Sequence, residues 1–306
     1  MIEFRNMPDQ ENKMNDFILS CCSTADVTEE KLRALDVHYI CNTYTLNGVA
    51  YRDDLGKTIP YREFYDRIRK GEIGVTSLIN TADYADYFEP FLQEGKDVLH
   101  VTLSSGLSST FQSALAAAEL LKERYPERKL LIVDSRGASS GYGLQMETLS
   151  KLRAEGRTID ELYDWSMNNR LHIHHLFCST TLTYYVRGGR ISPAAGKIGN
   201  LFNICPVMRM DHPGHLAVYS RVRTKKRALR ALVDQMAELA NDGENYSGRC
   251  FISHSDCLED ALEVKRQVEE RFPHIDGEIE VYMIGTTIGC HSGPGTVAVY
   301  FFGKER

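Results

Sequence analysis

The sequence predicts an α/β protein of two domains, in which a parallel α/β/α sandwich is followed by a mixed or antiparallel α/β domain. Three segments, DFILSCCSTAD, DVLHVTLSSGLS and KLLIVDSRGASS, each combine an apolar strand, a turn and a helix start. Repeated units of this kind favour a parallel sheet covered by helices. A length of 306 residues favours two domains over one. We place the domains at residues 17–165 and 166–306, after a polar extension at residues 1–16.

Composition and charge argue against several classes of protein. Hydrophobic residues make up 42% and charged residues 25% of the chain, which is typical of a soluble globular protein. A formal net charge of −6 gives no overall attraction to nucleic acid or to an anionic membrane. The chain has no apolar run of about 18 residues, and its opening lacks the apolar core of a signal peptide. We expect a cytoplasmic protein with no nucleic-acid partner and at most transient membrane contact.

In the first domain, the segment HVTLSSGLSSTFQSA at residues 100–114 clusters hydroxyls at a predicted strand-to-helix turn. Hydroxyl and backbone N–H groups at the carboxyl end of a parallel strand, facing a helix N-terminus, suit a carboxylate or a phosphate. The alternative is that the serines only cap the helix and satisfy the turn. Two pairs fit a capping box, Ser109 with Gln112 and Thr158 with Glu161.

Thr76 and Ser77 are a second, weaker candidate for an anion site of this kind, because two adjacent hydroxyls precede a helix predicted to start near Thr81. Simple capping is the competing explanation for this pair.

After the helix at Thr158 the pattern changes to strands joined by short connections. LHIHHLFCST predicts a strand, and ICPVMRMDHPGHLAVYSRVR predicts two strands joined by a Pro-Gly turn. The remaining predicted elements of the second domain are a helix from Lys225 to about Ala240, a strand at Arg249 to His254, a helix ending at Phe272, and strands at Glu278 to Ile284 and Thr296 to Phe302.

The segment GTTIGCHSGPG, Gly285 to Gly295, is predicted to be a long loop between two strands. Its four glycines allow close approach of the backbone to a ligand. A histidine on such a loop, His291, can donate a hydrogen bond to an anion or exchange a proton near neutral pH. We therefore expect a ligand-binding loop.

Three other patterns carry competing interpretations. RGGRIS and RVRTKKR make the second domain locally basic, either as a solvated face or as a docking surface. GASSG matches the nucleophile elbow of serine hydrolases, with Ser139, Asp256 and His291 in triad order, but the serine does not directly follow the strand. His172, His174 and His175 with Cys178 lack an accompanying carboxylate, so a polar strand is favoured over a metal site. We expect no metal and no cofactor.

Seven motifs in order give the chain a resemblance to a known family. They are STAD, VTS, SSGLSSTFQSA, VDSRGASSGYG, VRGGRIS, RVRTKKRAL and IGCHSGPG, spread over about residues 17–303. The chain resembles the DegV family of bacterial fatty-acid-binding proteins, the lipid-carrying subunits of fatty acid kinase. The resemblance implies a long-chain fatty acid held in a tunnel between the domains, and a separate ATP-binding kinase subunit that phosphorylates its carboxyl group. The carrier would then not be a complete enzyme.

The resemblance also implies roles for particular residues. Thr76 or Ser77 and Ser104 or Ser105 would hold the carboxyl group, with Gly106, His291 and Ser292 beside it. Residues that would face the kinase are Arg187, Arg190, Arg221 and Arg223. Ser105 would then matter more for lipid retention than Ser109, which is assigned to the helix start.

The sequence departs from the family pattern at three places, which bear on ligand choice and on coupling to the kinase. Cys22 replaces an aspartate, Leu78-Ile79-Asn80 replaces Gln-Pro-Ser, and Cys205 replaces a lysine. Two alternatives to a kinase-coupled carrier stay open: a lipid-binding or lipid-sensing module without a kinase, and a serine hydrolase that uses Ser139.

Overall fold

The structure is a computed structural model that describes residues 17–194 and 204–306. The predicted polar extension at residues 1–16 lies outside the described residues, and so does Lys197, a further basic residue that follows the RGGRIS motif. Within the described ranges, no helix combines the length and apolar character needed to cross a membrane.

Helices separate most strands of the first half of the chain, but three consecutive strands occur between residues 37 and 52. The strands are β1 (Phe17–Cys22), β2 (Val37–Ile40), β3 (Thr43–Leu46), β4 (Val49–Arg52), β5 (Gly74–Ser77), β6 (Asp97–Thr102), β7 (Leu130–Asp134), β8 (Ile173–Cys178), β9 (Ile204–Met210), β10 (Leu216–Arg223), β11 (Cys250–His254), β12 (Glu280–Met283) and β13 (Val297–Phe302). The helices are α1 (Glu29–Ala34), α2 (Tyr61–Arg69), α3 (Thr81–Gln93), α4 (Thr110–Arg124), α5 (Ser140–Ala154), α6 (Ile159–Asn169), α7 (Thr183–Arg187), α8 (Lys225–Leu239), α9 (Leu258–Arg271) and α10 (Thr286–Ser292).

The predicted parallel sheet is confirmed. Its strand order is β2-β1-β6-β7, and all three pairings are parallel. Leu19 on β1 lies opposite Val37 on one side and Leu99 on the other. Because apolar side chains on these strands are buried on both faces, the strands appear in the sequence as nearly continuous apolar runs. The carboxyl ends of β1, β6 and β7 therefore meet at one edge of the sheet.

A small antiparallel sheet of order β4-β3-β5 was not predicted from the sequence. Its strands are only four residues long, which weakens any periodic signal. The turn between β3 and β4 is Asn47-Gly48, and both residues have positive φ, 47° and 83°. Asn-Gly between two short apolar segments is a hairpin signal that was available in the sequence. This sheet matters because β5 carries Thr76 and Ser77.

The second sheet is mixed, as predicted. Its order is β10-β9-β8-β13-β11-β12, and only β11 and β12 pair in parallel. The Pro-Gly hairpin between β9 and β10 is confirmed, with Leu216 opposite Met210. The predicted long helix is α8, which packs on β8 and β9.

Two predictions about helix ends differ in outcome. The capping box of Thr158 and Glu161 is confirmed at α6. The box of Ser109 and Gln112 is wrong: Ser109 precedes α4, but its side chain accepts no capping hydrogen bond. The hydroxyl of Ser108 instead accepts from the N–H of Thr110 at 3.2 Å.

The segment from Gly285 to Gly295 was predicted to be a loop, and this is also wrong. It forms the two-turn helix α10, which ends at Gly293 with a φ of 62°. Glycine content suggested a loop, but Gly289 is needed for packing, because a β-carbon there would lie 2.6 Å from the Phe64 ring and 2.8 Å from the Tyr65 hydroxyl. The glycine thus lets α10 lie directly against α2.

The two large sheets share a core. α5 contacts β1 of the parallel sheet and also β8, β11 and β13 of the mixed sheet. One cluster of buried side chains contains Leu19 and Val101 from the first sheet together with Phe177 and Tyr300 from the second. The division of the chain at residues 165 and 166 stays a prediction, and α6 spans that position.

Candidate ligand-binding site

A cavity of about 480 Å³ lies between the two halves of the fold. Residues from the small sheet, from the turns after β6 and β7, from α10 and from the mixed sheet line it. This volume falls within the range of small-molecule sites, roughly 300 to 1,000 Å³. The site is thus assembled from segments that are far apart in the sequence.

Four of the polar residues that line the cavity, Thr76, Ser77, Arg190 and His291, form a group that we call the polar wall. The Thr76 Oγ1 and His291 Nε2 atoms are 2.8 Å apart, within hydrogen-bonding distance. β5 carries the threonine and α10 carries the histidine, and these two elements are in contact. The polar wall therefore combines hydroxyl groups, an imidazole that is hydrogen-bonded to Thr76, and a guanidinium.

His291 is uncharged at neutral pH. Burial, and then the nearby positive charge of Arg190, lower the pKa of His291 to about 4. Its Nδ1 atom is buried and has no hydrogen-bond partner among the described residues. Gly188 packs against that side of the ring, where a β-carbon on residue 188 would overlap Nδ1. The ring is thus held between Gly188 and Thr76.

Arg190, which was predicted to face the kinase, has a half-buried side chain that lines the cavity. Its Nε donates to the carbonyl of Leu107 at 3.0 Å, and its Nη1 donates to the carbonyl of Gly188 at 2.5 Å. These bonds attach the segment after α7 to the serine-rich turn after β6. Sequence reasoning missed this role because a basic run was interpreted by its charge alone.

The serines of that turn are divided between structural and cavity-facing positions. Ser104 is fully buried and does not line the cavity; its hydroxyl donates to the Gly214 carbonyl at 2.7 Å. Ser105, Gly106, Ser108 and Ser109 do line the cavity. The Ser105 hydroxyl donates to Asp134 Oδ2 at 2.5 Å, and its N–H donates to Asp134 Oδ1 at 3.0 Å. Its oxygen can still accept a hydrogen bond, but its proton is already donated.

The other predicted residues are placed as follows. Ser292 is buried, lines the cavity and donates to the carbonyl of Gly293 at 3.3 Å. Arg187 is exposed, with its guanidinium 5.5 Å from the centre of the Tyr184 ring. Arg221 and Arg223 are exposed on β10, an edge strand.

Apolar surface exceeds polar surface in the cavity as a whole, although Asn42, Ser139, His175, Thr287 and Thr296 also line it. The apolar side chains come from the mixed sheet, from α7, from α10 and from the ends of β6 and β12, and they include Leu103, Phe177, Tyr185, Met210, Leu216, Ile284, Ile288, Ala298 and Tyr300. Most of them are buried in the same hydrophobic cluster that joins the two sheets. A mainly apolar cavity with a cluster of polar groups suits an amphipathic acid better than a small polar metabolite.

The three positions that depart from the family pattern have local structural roles. Cys22 is buried, and its sulfur lies 3.2 Å from the Tyr84 hydroxyl. Asn80 caps α3, where it forms a capping box with Asp83, and Leu78 lines the cavity. Cys205 donates to the carbonyl of Ser179 at 3.1 Å. Of these positions, only Leu78 touches the cavity.

The geometry does not assemble a hydrolase triad. Ser139 lines the cavity, but its hydroxyl donates to Asp26 Oδ2 at 2.5 Å. His291 is instead bonded to Thr76, and Asp256 forms an ion pair with Arg69. The predicted histidine strand also has local partners: His172, His174 and His175 each bond to a backbone carbonyl.

Comparisons with known proteins give consistent results. A model for uncharacterised proteins of the DegV family matches residues 22–304. A DegV domain-containing protein of Clostridium perfringens is 33% identical over 294 residues, which cover 96% of this chain and 99% of the relative.

Two solved structures are similar along almost their whole length. A DegV lipid binding protein from Thermotoga maritima is 26% identical, with a TM-score of 0.81 and coverage of 95% of this chain and 99% of that chain. A DegV family protein from Thermus thermophilus, described for its fatty acid binding, is 26% identical, with a TM-score of 0.83 and coverage of 94% and 100%.

Proposed function

The chain belongs to the DegV family, and from this premise we propose that it binds one long-chain fatty acid and presents the carboxyl group to a separate ATP-dependent kinase. The observation that carries the proposal is the cavity between the two halves of the fold, with its polar wall and its mainly apolar surface. The fatty acid binding described for the protein from Thermus thermophilus supports the same ligand class.

The polar wall is the proposed site of the carboxyl group. Thr76 and Ser77 supply hydroxyl donors, and Arg190 supplies positive charge close to His291. A bound carboxylate would raise the pKa of His291, because an opposite charge favours the protonated ring. Ser105 and Gly106 line the same cavity, whereas the Ser104 hydroxyl donates to the Gly214 carbonyl and does not line it.

The acyl tail supplies most of the affinity. Burying about 14 methylenes at roughly 0.8 kcal/mol each gives on the order of 11 kcal/mol, before the cost of ordering the chain and the ligand. The polar wall then orients the carboxyl group and contributes less to the total. The tail would pack against Phe177 and Met210 of the mixed sheet and against Ile288 of α10.

The chemical step belongs to the partner. A carboxylate oxygen of the bound fatty acid attacks the γ-phosphorus of ATP held by the kinase, the bond from that phosphorus to the β–γ bridging oxygen breaks, and ADP leaves. The product is an acyl phosphate. The chain then acts as the substrate-carrying component and supplies no nucleophile of its own. Exposed arginines 187, 221 and 223 are the proposed contacts to the kinase.

The first experiment is organic extraction of freshly purified protein, followed by mass spectrometry. Near-stoichiometric fatty acid is expected; a protein that is empty and also fails to bind added oleate or palmitate would refute the proposal. Reconstitution with the kinase then separates a carrier from a lipid sensor, because bound lipid without acyl phosphate would identify the sensor. A fluorophosphonate probe tests the hydrolase alternative, and no labelling of Ser139 is expected.

A further inference from the structure

Two carboxylates are buried beside the cavity, and the proposed fatty-acid binding leaves them without a role. Asp26 follows β1 and is 2% exposed; Asp53 follows β4 and is 1% exposed. No lysine, arginine or histidine forms an ion pair with either of them among the described residues. Burial of a carboxylate without a cation is costly unless hydrogen bonds replace its lost hydration.

For Asp53 those hydrogen bonds come from the start of α10. Asp53 Oδ1 accepts from the Thr286 hydroxyl at 2.8 Å, and its Oδ2 accepts from the N–H of Thr287 at 3.3 Å. Asp26 Oδ2 accepts from the Ser139 hydroxyl, and its Oδ1, which has no hydrogen-bond partner among the described residues, packs against Gly285, where a β-carbon would lie 2.6 Å from that oxygen. The N–H groups at a helix start lack partners within the helix and carry partial positive charge. Asp53 therefore holds the start of α10 by hydrogen bonds, and Asp26 holds it by close packing.

The same helix carries the residues that face the ligand. His291 lies five residues after Thr286, which is about 7.5 Å along a helix at 1.5 Å per residue. Ile288 and Ser292 also line the cavity. Because α10 has only two turns, a shift at its start moves the His291 ring as well. The position of His291 against Thr76 thus depends on the contacts that fix the first residues of α10.

We propose that Asp26 and Asp53 are positioning residues, which fix α10 from the first half of the chain and so place His291 in the polar wall. The expected effect of these residues on ligand affinity rests on the proposed function, but their expected effect on the position of His291 does not. Burial raises the pKa of both carboxyl groups, while hydrogen bonds from Ser139 to Asp26 and from α10 to Asp53 act in the opposite direction.

The test compares variants in the lipid-free protein by NMR of the His291 ring, assigned with His291→Gln. Asp53→Asn removes one acceptor, and Thr286→Val removes the donor while leaving the carboxylate. Thr286→Ser keeps the hydroxyl and is the matched control for the valine. Glu147→Gln controls for general loosening, since Glu147 joins the halves through Lys31 and Arg249 without contacting α10.

Altered His291 ring signals are expected for Asp53→Asn and Thr286→Val, and unaltered signals for Thr286→Ser and Glu147→Gln. Oleate binding should weaken about tenfold in the first two variants and stay within about twofold in the controls. Unaltered signals in both Asp53→Asn and Thr286→Val would overturn the inference, and so would equal changes in Glu147→Gln. If the wild type binds no oleate, the proposed function fails, while the NMR comparison still decides the positioning role.

Discussion

Gly188 offers a sharp perturbation of the polar wall, because it packs against His291 but lies outside the cavity lining. Its φ is −74°, an ordinary helical value that alanine adopts without strain. In Gly188→Ala the new β-carbon would overlap Nδ1 and would lie 3.0 Å from Cε1 and 3.2 Å from Cγ of the same ring. The ring must therefore move away from Gly188, which disturbs its contact with Thr76.

The size of the effect follows from the contacts. Overpacking of a buried site costs about 1 to 3 kcal/mol in stability. Loss of a hydrogen bond to a charged ligand group costs roughly 1.5 to 3 kcal/mol, which corresponds to about 10- to 150-fold in the dissociation constant. We expect Gly188→Ala to weaken fatty-acid binding by about that factor, measured by titration calorimetry with delipidated protein.

Gly189 provides the matched control. Its φ is 72°, and apart from its chain neighbours no atom of the described residues lies within 4 Å of a β-carbon placed there. Gly189→Ala should therefore cost about 1 kcal/mol in stability through backbone strain, with little change in affinity. Equal affinities for the two alanine variants would refute the reasoning, since the contact with His291 would then have no effect on the ligand.

Three further predictions concern single side chains. Thr76→Val should weaken binding about tenfold, while Thr76→Ser should bind like the wild type; equal dissociation constants for the two would remove the hydroxyl from the site. Ser105→Ala should release more lipid than Ser109→Ala and should also lower the midpoint of thermal unfolding, because Asp134 loses a buried donor; a larger release from Ser109→Ala would reverse the assignment. Between pH 6.5 and 4, the lipid-free wild type should lose up to about 3 kcal/mol of unfolding free energy relative to His291→Gln. The reason is that the pKa of His291 is lowered to about 4 in the folded protein, so the unfolded chain takes up the proton first as the pH falls. Parallel pH profiles of the two proteins in denaturant titrations would contradict this.

The two large sheets were predictable from the sequence, and the small sheet was not. Apolar runs such as that of β6 are long enough to indicate buried strands without further information. β3, β4 and β5 have four residues each, and the exposed Val49 and Val75 blur their alternation. The Asn47-Gly48 turn was the usable signal.

The structure brings most of the predicted ligand-binding residues to one cavity, but it gives the individual hydroxyls different local partners. Thr76 and His291 are 215 positions apart in the sequence and still meet at 2.8 Å. Ser104 looked equivalent to Ser105 because the two are adjacent at the end of a strand. The structure separates them through tertiary partners, the Gly214 carbonyl for Ser104 and the Asp134 carboxylate for Ser105. No local pattern encodes a partner that is 110 residues away.

The segment Arg187-Gly-Gly-Arg190 shows why charge alone was an insufficient guide to the site. The chain reverses at Gly189, whose φ of 72° is readily adopted only by glycine. As a result Arg187 stays in solvent over Tyr184, while Arg190 turns inward to the Leu107 carbonyl and the cavity. Gly188 has no side chain, which lets the His291 ring pack directly against its backbone. This four-residue motif thus supplies an exposed cation in Arg187, a cavity-lining cation in Arg190 and, in Gly188, the residue that packs against His291. The backbone geometry, and not the composition, sets each of these roles.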